Sequence, residues 1–282
     1  MASGAEELPA RMRRAAAALA RPAPRGSGPA VTSDLSIDEV LLLHGAGWEP
    51  VELVCGVAIC SVPAGAWVWG QGEIVSASEA HNKAVATAAA RMRQECGRAG
   101  GAGVVGVHVD VTVHPHHVDV ELVGTAVRPV PGAEHGWAPS HQPFVSDLSA
   151  RDFVLLRQAG WVPVTLVFGA SFVNAPRRSV GTAISQKTQN VELTNMTEAV
   201  YSTREAAMER MQAAALRAGA GGVVAVSITE GPVRFARHAV GFTTWGTAVR
   251  VEPEGHRRIT PRVVLPLDDA EVAFAAQSLR RR

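Results

Sequence analysis

The sequence has no excess of charge of either sign and few aromatic residues. Its 282 residues include 27 Lys and Arg against 26 Asp and Glu, and aromatic residues make up 5%, with a single Tyr. Without a basic field there is no general attraction to nucleic acid or to an anionic membrane surface. Without interleaved aromatics there is no platform on which single-stranded bases can stack. We therefore expect neither nucleic acid nor a membrane as a partner.

Long apolar runs and a cysteine framework are also missing. Gly, His or charged residues interrupt every apolar run well before the roughly 18 residues that a membrane-spanning helix needs. The three cysteines, Cys55, Cys60 and Cys96, are an odd number, which argues against a disulfide scaffold. The Ala- and Arg-rich N-terminal stretch lacks the apolar core of a secretory signal. These features predict a cytoplasmic protein.

The sequence does contain one unit twice. The segment "SDLSIDEVLLLHGAGWEPVELVCGV" starts at Ser33 and returns as "SDLSARDFVLLRQAGWVPVTLVFGA" at Ser146; both copies close with "GTAVR", at Gly124 and Gly246. At roughly 150 residues per domain, the length also suggests two domains. We predict repeat 1 over residues 33–130 and repeat 2 over residues 146–252. Each copy can then serve as a control for the other.

Composition sets the boundaries around the repeats. Residues 1–32 are rich in Ala, Pro, Arg and Gly, and we expect a disordered tail. Residues 131–145 are rich in Pro and Gly and lack periodicity, which is typical of a linker. Residues 253–282 form a C-terminal tail in which Asp268 is placed to cap a short helix.

The two repeats share one predicted order of elements: helix, strand, variable loop, helix, strand, strand. Ser36 with Glu39, and Ser149 with Asp152, have the spacing of helix N-caps. The long helices are predicted over about 79–98 and 198–217, ending at the left-handed caps Gly100 and Gly219. This order predicts an α+β fold with two tandem copies of a small helix-strand-helix-strand-strand module.

The first strand of each repeat shows alternating apolar residues that should share one face. These residues are Val51, Leu53, Cys55, Val57 and Ile59 in repeat 1, and Val164, Leu166, Phe168, Ala170 and Phe172 in repeat 2.

Neither the glycine-rich stretches nor the cysteines indicate a reactive site. Glycines that cradle phosphate follow a strand and open a helix, whereas "GRAGGAGVVGV" and "LRAGAGGVVAV" end a helix and lead into a strand. Cys55, Cys60 and Cys96 have Phe168, Val173 and Ala215 as counterparts in repeat 2. Positions that accept Phe, Val and Ala are packing positions, so we expect the thiols to pack rather than react.

The last two strands of repeat 1 carry the strongest candidate site. In "VVGVHVDVTVHPHHVDVELVGTAV", valines at 105, 107, 109, 111 and 113 are predicted on one face. If the strands pair as a hairpin, a set of imidazoles and carboxylates shares the other face: His108, Asp110, His114, His117, Asp119 and Glu121. Nitrogen and oxygen ligands of this kind suit a divalent transition metal such as Zn, Ni, Cu or Mn.

A solvated polar face is the competing interpretation of the same hairpin. An antiparallel sheet ordinarily turns one polar face to water, and only the content of His distinguishes this one. Repeat 2 has Ser227 and Thr229 in place of His108 and Asp110, so a metal site would belong to repeat 1 alone.

Trp67 and Trp69 lie on alternate positions in the variable segment of repeat 1. Two indoles bracketed by glycines are costly to expose, so we predict that they contact another subunit or the other repeat, with core packing as the alternative.

Repeat 2 resembles the YbjQ-like family, whose members are called heavy-metal-binding domains. The matching letters are Gly169, "Y-x-x-R-E-A-A-x-E-R-M" from Tyr201, "GAGGVVAV" from Gly219 and "GTAV" from Gly246. Repeat 1 departs from this pattern with Asn82 in place of Tyr and Val85 in place of Arg. The resemblance implies a small α+β fold that assembles into rings, with no enzymatic activity.

Three classes of function follow from these features. The first is a non-enzymatic, self-assembling protein that binds a ligand or partner through its loops. The second is a metal-binding or metal-sensing module that uses the hairpin of repeat 1. The third, a metal-dependent hydrolase, needs an open coordination position in a concave pocket, for which the sequence gives no sign.

Overall fold

A computed structural model of the chain describes residues 31–63, 65–67, 72–132, 142–175, 193–236, 238–252 and 255–257. From Ser33 onward the described residues belong to one unit, in which the two repeats contact each other. Most of the predicted tails, the centre of the predicted linker and Trp69 lie outside the described residues.

The elements follow the predicted order in both repeats. Repeat 1 contains α1 (Ile37–Gly45), β1 (Trp48–Ser61), β2 (Gly72–Glu73), α2 (Val75–Arg98), β3 (Gly103–Val113) and β4 (His117–Pro129). The second half contains β5 (Phe144–Val145), α3 (Ala150–Gln158), β6 (Trp161–Asn174), α4 (Thr194–Arg217), β7 (Gly222–Pro232) and β8 (Ala239–Val251). The α+β class is therefore confirmed, and each half of the chain contains helix, strand, helix, strand and strand in the predicted order.

Each sheet of a repeat gains one short strand from outside that repeat. One sheet has the order β1-β4-β3-β5 and the other has the order β2-β6-β8-β7. The long strands pair antiparallel, whereas β5, at the end of the predicted linker directly before repeat 2, runs parallel to β3 of repeat 1. In return β2 of repeat 1 pairs with the edge of β6. The repeats are therefore joined by backbone hydrogen bonds as well as by side-chain packing.

The predicted caps are confirmed. Ser36 Oγ accepts a hydrogen bond from the Glu39 amide, and the Glu39 side chain bonds back to Ser36. Ser149 Oγ accepts from the Asp152 amide at 3.1 Å. The two long helices are followed by left-handed glycines, Gly100 at φ 78° and Gly219 at φ 70°. Both helices begin four residues before the predicted start, at Val75 and Thr194.

A bulge in β3 overturns one predicted face. The register shifts between Val105 and His108, and Gly106 takes a positive φ of 65°. Val105 was expected beside Val107, but it lies on the opposite side of the sheet in a cluster with Trp48. The cause is the extra residue in the bulge, which reverses the alternation of side chains. In β7 the same bulge is built on Ala225, at φ 54°.

The two bulges give a matched pair of substitutions. A residue with a Cβ in the left-handed region is strained by about 1–2 kcal/mol, partly offset by the greater entropy that Gly loses on folding. We expect Ala225→Gly to stabilise the protein and Gly106→Ala to destabilise it, each by about 0.5–1 kcal/mol. A Cβ on Gly106 has room, since its nearest neighbour is Leu35 Cδ2 at 3.9 Å. Urea unfolding of both variants measures the effect; changes of the same sign would contradict it.

The apolar alternation in β1 faces outward rather than into the core of repeat 1. Val54 and Ala58 are buried against α2, whereas Val57 and Ile59, on the other face, are exposed. In β6 the corresponding residues Ala170 and Phe172 are buried. The same strand pattern thus has different environments in the two repeats, because α2 covers β6 from outside and no described element covers β1 in that way.

Helix α2 is packed on two sides. On one side it approaches β1 so closely that a Cβ on Gly56 would lie 2.1 Å from the carbonyl oxygen of Ala88. On the other side Asn82 hydrogen bonds to both the amide and the carbonyl of Ala170 in β6, each at 3.1 Å. Ser78 Oγ accepts from the amide of Phe172 at 3.0 Å. This helix therefore forms the layer between the two sheets.

His81 is enclosed in that layer. It lies against the ring of Phe172, with centroids 5.9 Å apart, and neither ring nitrogen has a hydrogen-bond partner among the described residues. Burial lowers the pKa of His81 to about 4, because desolvation penalises the charged imidazolium. The folded protein therefore holds this side chain neutral at pH 7.

This burial predicts that acid weakens the fold. As the pH falls below about 6.5, the unfolded chain protonates His81 while the folded chain does not, so stability falls until the pH approaches about 4. Between pH 7.5 and pH 5 the loss from this group is about 2 kcal/mol. We expect His81→Leu to remove that part of the dependence, measured as the free energy of unfolding at fixed protein concentration. Equal slopes in both proteins would show that His81 does not contribute.

Candidate functional site

The hairpin of β3 and β4 places the six predicted ligands on one face of the sheet. Asp110 lies opposite Glu121, and Thr112 lies opposite Asp119. At the turn, the His114 amide donates to the carbonyl of His117 at 2.9 Å. Side chains on paired positions of one face are neighbours, so the predicted grouping depends on this register.

Three of the six residues converge next to the turn. His114 Nε2 lies 3.4 Å from one Asp119 oxygen, and His117 Nε2 lies 3.5 Å from the other. The imidazole rings are stacked with centroids 4.4 Å apart. In the part of the chain that the structure describes, this is the one group of three or more potential ligands whose atoms all lie within 4.8 Å of one another.

The separations fit shared ligands better than hydrogen bonds. Both N···O distances exceed the range of about 2.7–3.2 Å of ordinary hydrogen bonds. Ligands about 2.0–2.1 Å from a tetrahedral ion are separated by about 3.3 Å. Asp119 Oδ1 is buried and lacks a hydrogen-bond partner in the described part of the chain. Two imidazoles and a carboxylate of this geometry are able to hold a divalent transition metal.

The other three predicted ligands lie further along the hairpin and do not belong to this group. Asp110 and Glu121 face each other across the strands, and His108 lies opposite Val123. The cluster also has no counterpart in repeat 2, where Ala239 and Gly241 occupy the strand positions of His117 and Asp119.

The thiols of Cys55 and Cys96 have a raised pKa. Cys96 is buried, as predicted for a packing residue, whereas Cys55 is exposed and does not pack in the core. Burial raises the pKa of the Cys96 thiol to about 12. The pKa of Cys55 is also raised, by burial first and then by the carboxylates of Glu95 and Glu121. Both thiols therefore stay protonated at neutral pH, and the thiolate is the reactive form.

Trp67 lies between the two repeats. Its ring packs edge-on against Phe172 and Phe235 of repeat 2, at centroid distances of 5.5 and 5.1 Å. Its indole nitrogen donates to the carbonyl of Pro115 at 3.0 Å, next to the His cluster. The second predicted interface residue, Trp69, falls outside the described residues.

Beside Trp67 the repeats enclose an open cleft of roughly 740 Å³. One wall is formed by valines 109, 111 and 113 of β3, and the other includes Gly241, Thr243 and Trp245 of β8. The volume lies in the range of small-molecule sites, about 300–1,000 Å³. Sequence reasoning missed this cleft because it depends on how one repeat docks on the other.

None of the helices in the described ranges is both long enough and apolar enough to cross a membrane.

Comparison with known proteins gave two findings. Residues 164–252, within repeat 2, match the family described as "Putative heavy-metal-binding". The chain is also 40% identical over 245 residues to the "Encapsulin nanocompartment protein Rv1762c" of Mycobacterium tuberculosis (strain ATCC 25618 / H37Rv). That alignment covers 84% of this chain and 92% of the relative. The family match therefore falls on repeat 2, whereas the His and Asp cluster lies in repeat 1.

Proposed function

The chain belongs to the YbjQ-like family, and on that premise we propose that it is a non-enzymatic protein that assembles with further copies of itself into a ring. It carries two YbjQ-like repeats, 33–130 and 146–252, joined by the linker 131–145 and flanked by the tails 1–32 and 253–282. We propose a cytoplasmic location, since an odd number of cysteines argues against the disulfide scaffold typical of a secreted protein.

One observation carries this proposal: apolar side chains are exposed on both outer faces of the pair of repeats. Ile37 and Ile59 are exposed on repeat 1, and Tyr201, Leu216 and Ile228 are exposed on repeat 2. Large exposed apolar patches commonly mark interaction surfaces. The similarity to a nanocompartment protein over most of its length supports the same conclusion. We infer that this chain, like that relative, is a component of an encapsulin nanocompartment.

Light scattering after size exclusion tests this function. We expect a mass that is a multiple of the 29.6 kDa chain at micromolar concentration, because exposed apolar surface favours association. Mixed with encapsulin shells, the protein should sediment with them, whereas an unrelated protein of equal size should not. A chain that is strictly monomeric at micromolar concentration excludes self-assembly, and a chain that assembles but does not sediment with the shells excludes the nanocompartment role.

A second candidate function is divalent metal binding at the cluster of His114, His117 and Asp119. The buried Asp119 oxygen without a hydrogen-bond partner favours it, together with the N···O separations. A bound transition metal would supply a positive charge there, held by the two imidazole nitrogens and the carboxylate. The family description does not strengthen this candidate, because residues 164–252 do not include the cluster.

Calorimetry with Zn²⁺ and Ni²⁺ tests the second candidate. We expect about one ion per chain, and a loss of affinity of at least 10-fold in the double variant His114→Ala, His117→Ala, because the remaining carboxylate is a weak site by itself. His108→Ala combined with His116→Ala is the matched control, since it removes two imidazoles outside the cluster. Uptake that is the same in both double variants would rule out the cluster as the site.

A further inference from the structure

The contact between the repeats joins two different surfaces. The leading face of repeat 1 consists of the outer side of α2, the edge of β3 away from β4, Leu43 of α1 and Trp48 at the start of β1. The trailing face of repeat 2 consists of the segment 144–148, the inner side of α3 and the outer side of β6. Because the two surfaces differ, every repeat has one of each, and a chain of two repeats leaves one of each uncovered.

Side-chain packing shows how completely the inner pair is covered. Phe144 and Phe153 stack with centroids 5.4 Å apart, and Trp48 packs edge-on against Phe153 at 5.0 Å. A Cβ on Gly103 would lie 2.1 Å from the ring of Phe144. Backbone bonds add to this contact, from the Gly106 amide to the Leu148 carbonyl at 2.7 Å and from the Val107 amide to the Ser146 carbonyl at 3.1 Å.

The trailing face of repeat 1 is built in the same way but is open. Ala150 in α3 is 0% exposed, and its counterpart in α1, Ile37, is 80% exposed. Phe172 in β6 is 3% exposed, and its counterpart in β1, Ile59, is 66% exposed. Apolar side chains are therefore exposed in repeat 1 at positions that are buried in repeat 2.

The leading face of repeat 2 is open as well. Helix α4 buries one stripe of residues, at 199, 203, 207, 211 and 215. Helix α2 buries the corresponding stripe and a second one, at 77, 78, 81, 85 and 89, and much of this second stripe lies against repeat 2. On the adjoining strand, Val107 is 4% exposed in β3 and its counterpart Val226 in β7 is 40% exposed.

Repeat 2 has an open groove at the position where repeat 1 is covered by a neighbouring segment. It has a volume of roughly 420 Å³ between α4 and β7 and is lined largely by apolar residues, among them Met208, Leu216 and Val226. In repeat 1 the equivalent space beside Gly103 is filled by Phe144. At the counterpart, Gly222, the nearest atom to an added Cβ is Val249 Cγ2 at 4.0 Å, so the space is open.

We propose that the leading face of repeat 2 binds the trailing face of repeat 1 in a second copy of this chain, reproducing between copies the contact that the repeats make within one. This inference rests on the proposed self-assembly and names the surfaces that carry it. Ile37 and Leu41 of the second copy then take the places of Ala150 and Val154, and its Ser33–Leu35 segment meets the edge of β7 as residues 146–148 meet β3.

The geometry makes the assembly directional. Each copy offers one leading and one trailing face, and a contact between unlike faces leaves one of each at the ends of any open chain. These two uncovered faces are buried only when the last copy binds the first, and the assembly is then a closed ring. An assembly in which like faces meet would instead stop at two copies.

Two variants with opposite defects test this arrangement. The trailing variant carries Ile37→Glu and Leu41→Glu, and the leading variant carries Val226→Glu and Ile228→Glu; all four side chains are exposed in the isolated chain. Each should raise the dissociation constant of the assembly roughly 100-fold or more, because it buries unpaired charge in the contact. Each variant alone should therefore be monomeric, with an unchanged melting temperature at low protein concentration.

Mixing the two variants gives the decisive result. The leading face of the trailing variant and the trailing face of the leading variant are both intact, so equal amounts should form a one-to-one dimer of twice 29.6 kDa and nothing larger. The matched control carries Leu42→Glu and Leu155→Glu, at counterpart positions that are exposed in both repeats. It should assemble like the unmodified chain.

Other outcomes separate this inference from the proposed function. If the unmodified chain assembles but the variants keep its mass, or their mixture stays monomeric, these faces are not the contact and self-assembly still stands. If the unmodified chain is monomeric, the proposed function fails first. Should the trailing variant fold poorly, Ile59→Glu on the outer side of β1 replaces it, since that side chain is also exposed.

Discussion

The fold depends on a helix, α2, that is packed against a sheet on each side. Toward its own sheet it can approach closely because Gly56 has no side chain. Toward the other sheet, Asn82 and Ser78 hydrogen bond to backbone groups of Ala170 and Phe172 in β6. The layer therefore joins two sheets with both apolar contact and hydrogen bonds, and the relative position of the repeats follows from it.

The two repeats share the same close contacts of the backbone but differ in the residues on their surfaces. Gly169 approaches Ala207 as Gly56 approaches Ala88, with an added Cβ 2.0 and 2.1 Å from the respective carbonyl oxygens. The residues that face the other repeat follow no such identity, since Val85 in α2 is replaced by Arg204 in α4. Constraints inside a module are the same in both repeats, whereas residues on the surface of the module differ between them.

Sequence periodicity predicted what local interactions determine and failed where tertiary contacts decide. The capping residues and helix ends follow from nearby hydrogen bonds, so Ser36 and Gly100 were identified correctly. The burial of β1 was not predictable from alternation, because both faces carry apolar residues and only the packing of α2 against Val54 and Ala58 decides which face is buried. The bulge at Gly106 was visible as a glycine within a strand, a known sign of a bulge, yet its effect on Val105 needed the register.

The candidate metal cluster and the candidate assembly surfaces differ in the residues found at their counterpart positions in the other repeat. Repeat 2 has Ala239 and Gly241 at the positions of His117 and Asp119 and still forms the same strands. The fold of the module therefore does not require the cluster. Ile37, Ile59 and Val226 on the outer faces have buried counterparts in the other repeat, so the module can bury these positions. The proposed assembly would extend an interaction that the repeats already make within the chain, whereas metal binding would be an acquisition of repeat 1 alone. The duplication therefore supports the proposed assembly more than the proposed metal binding.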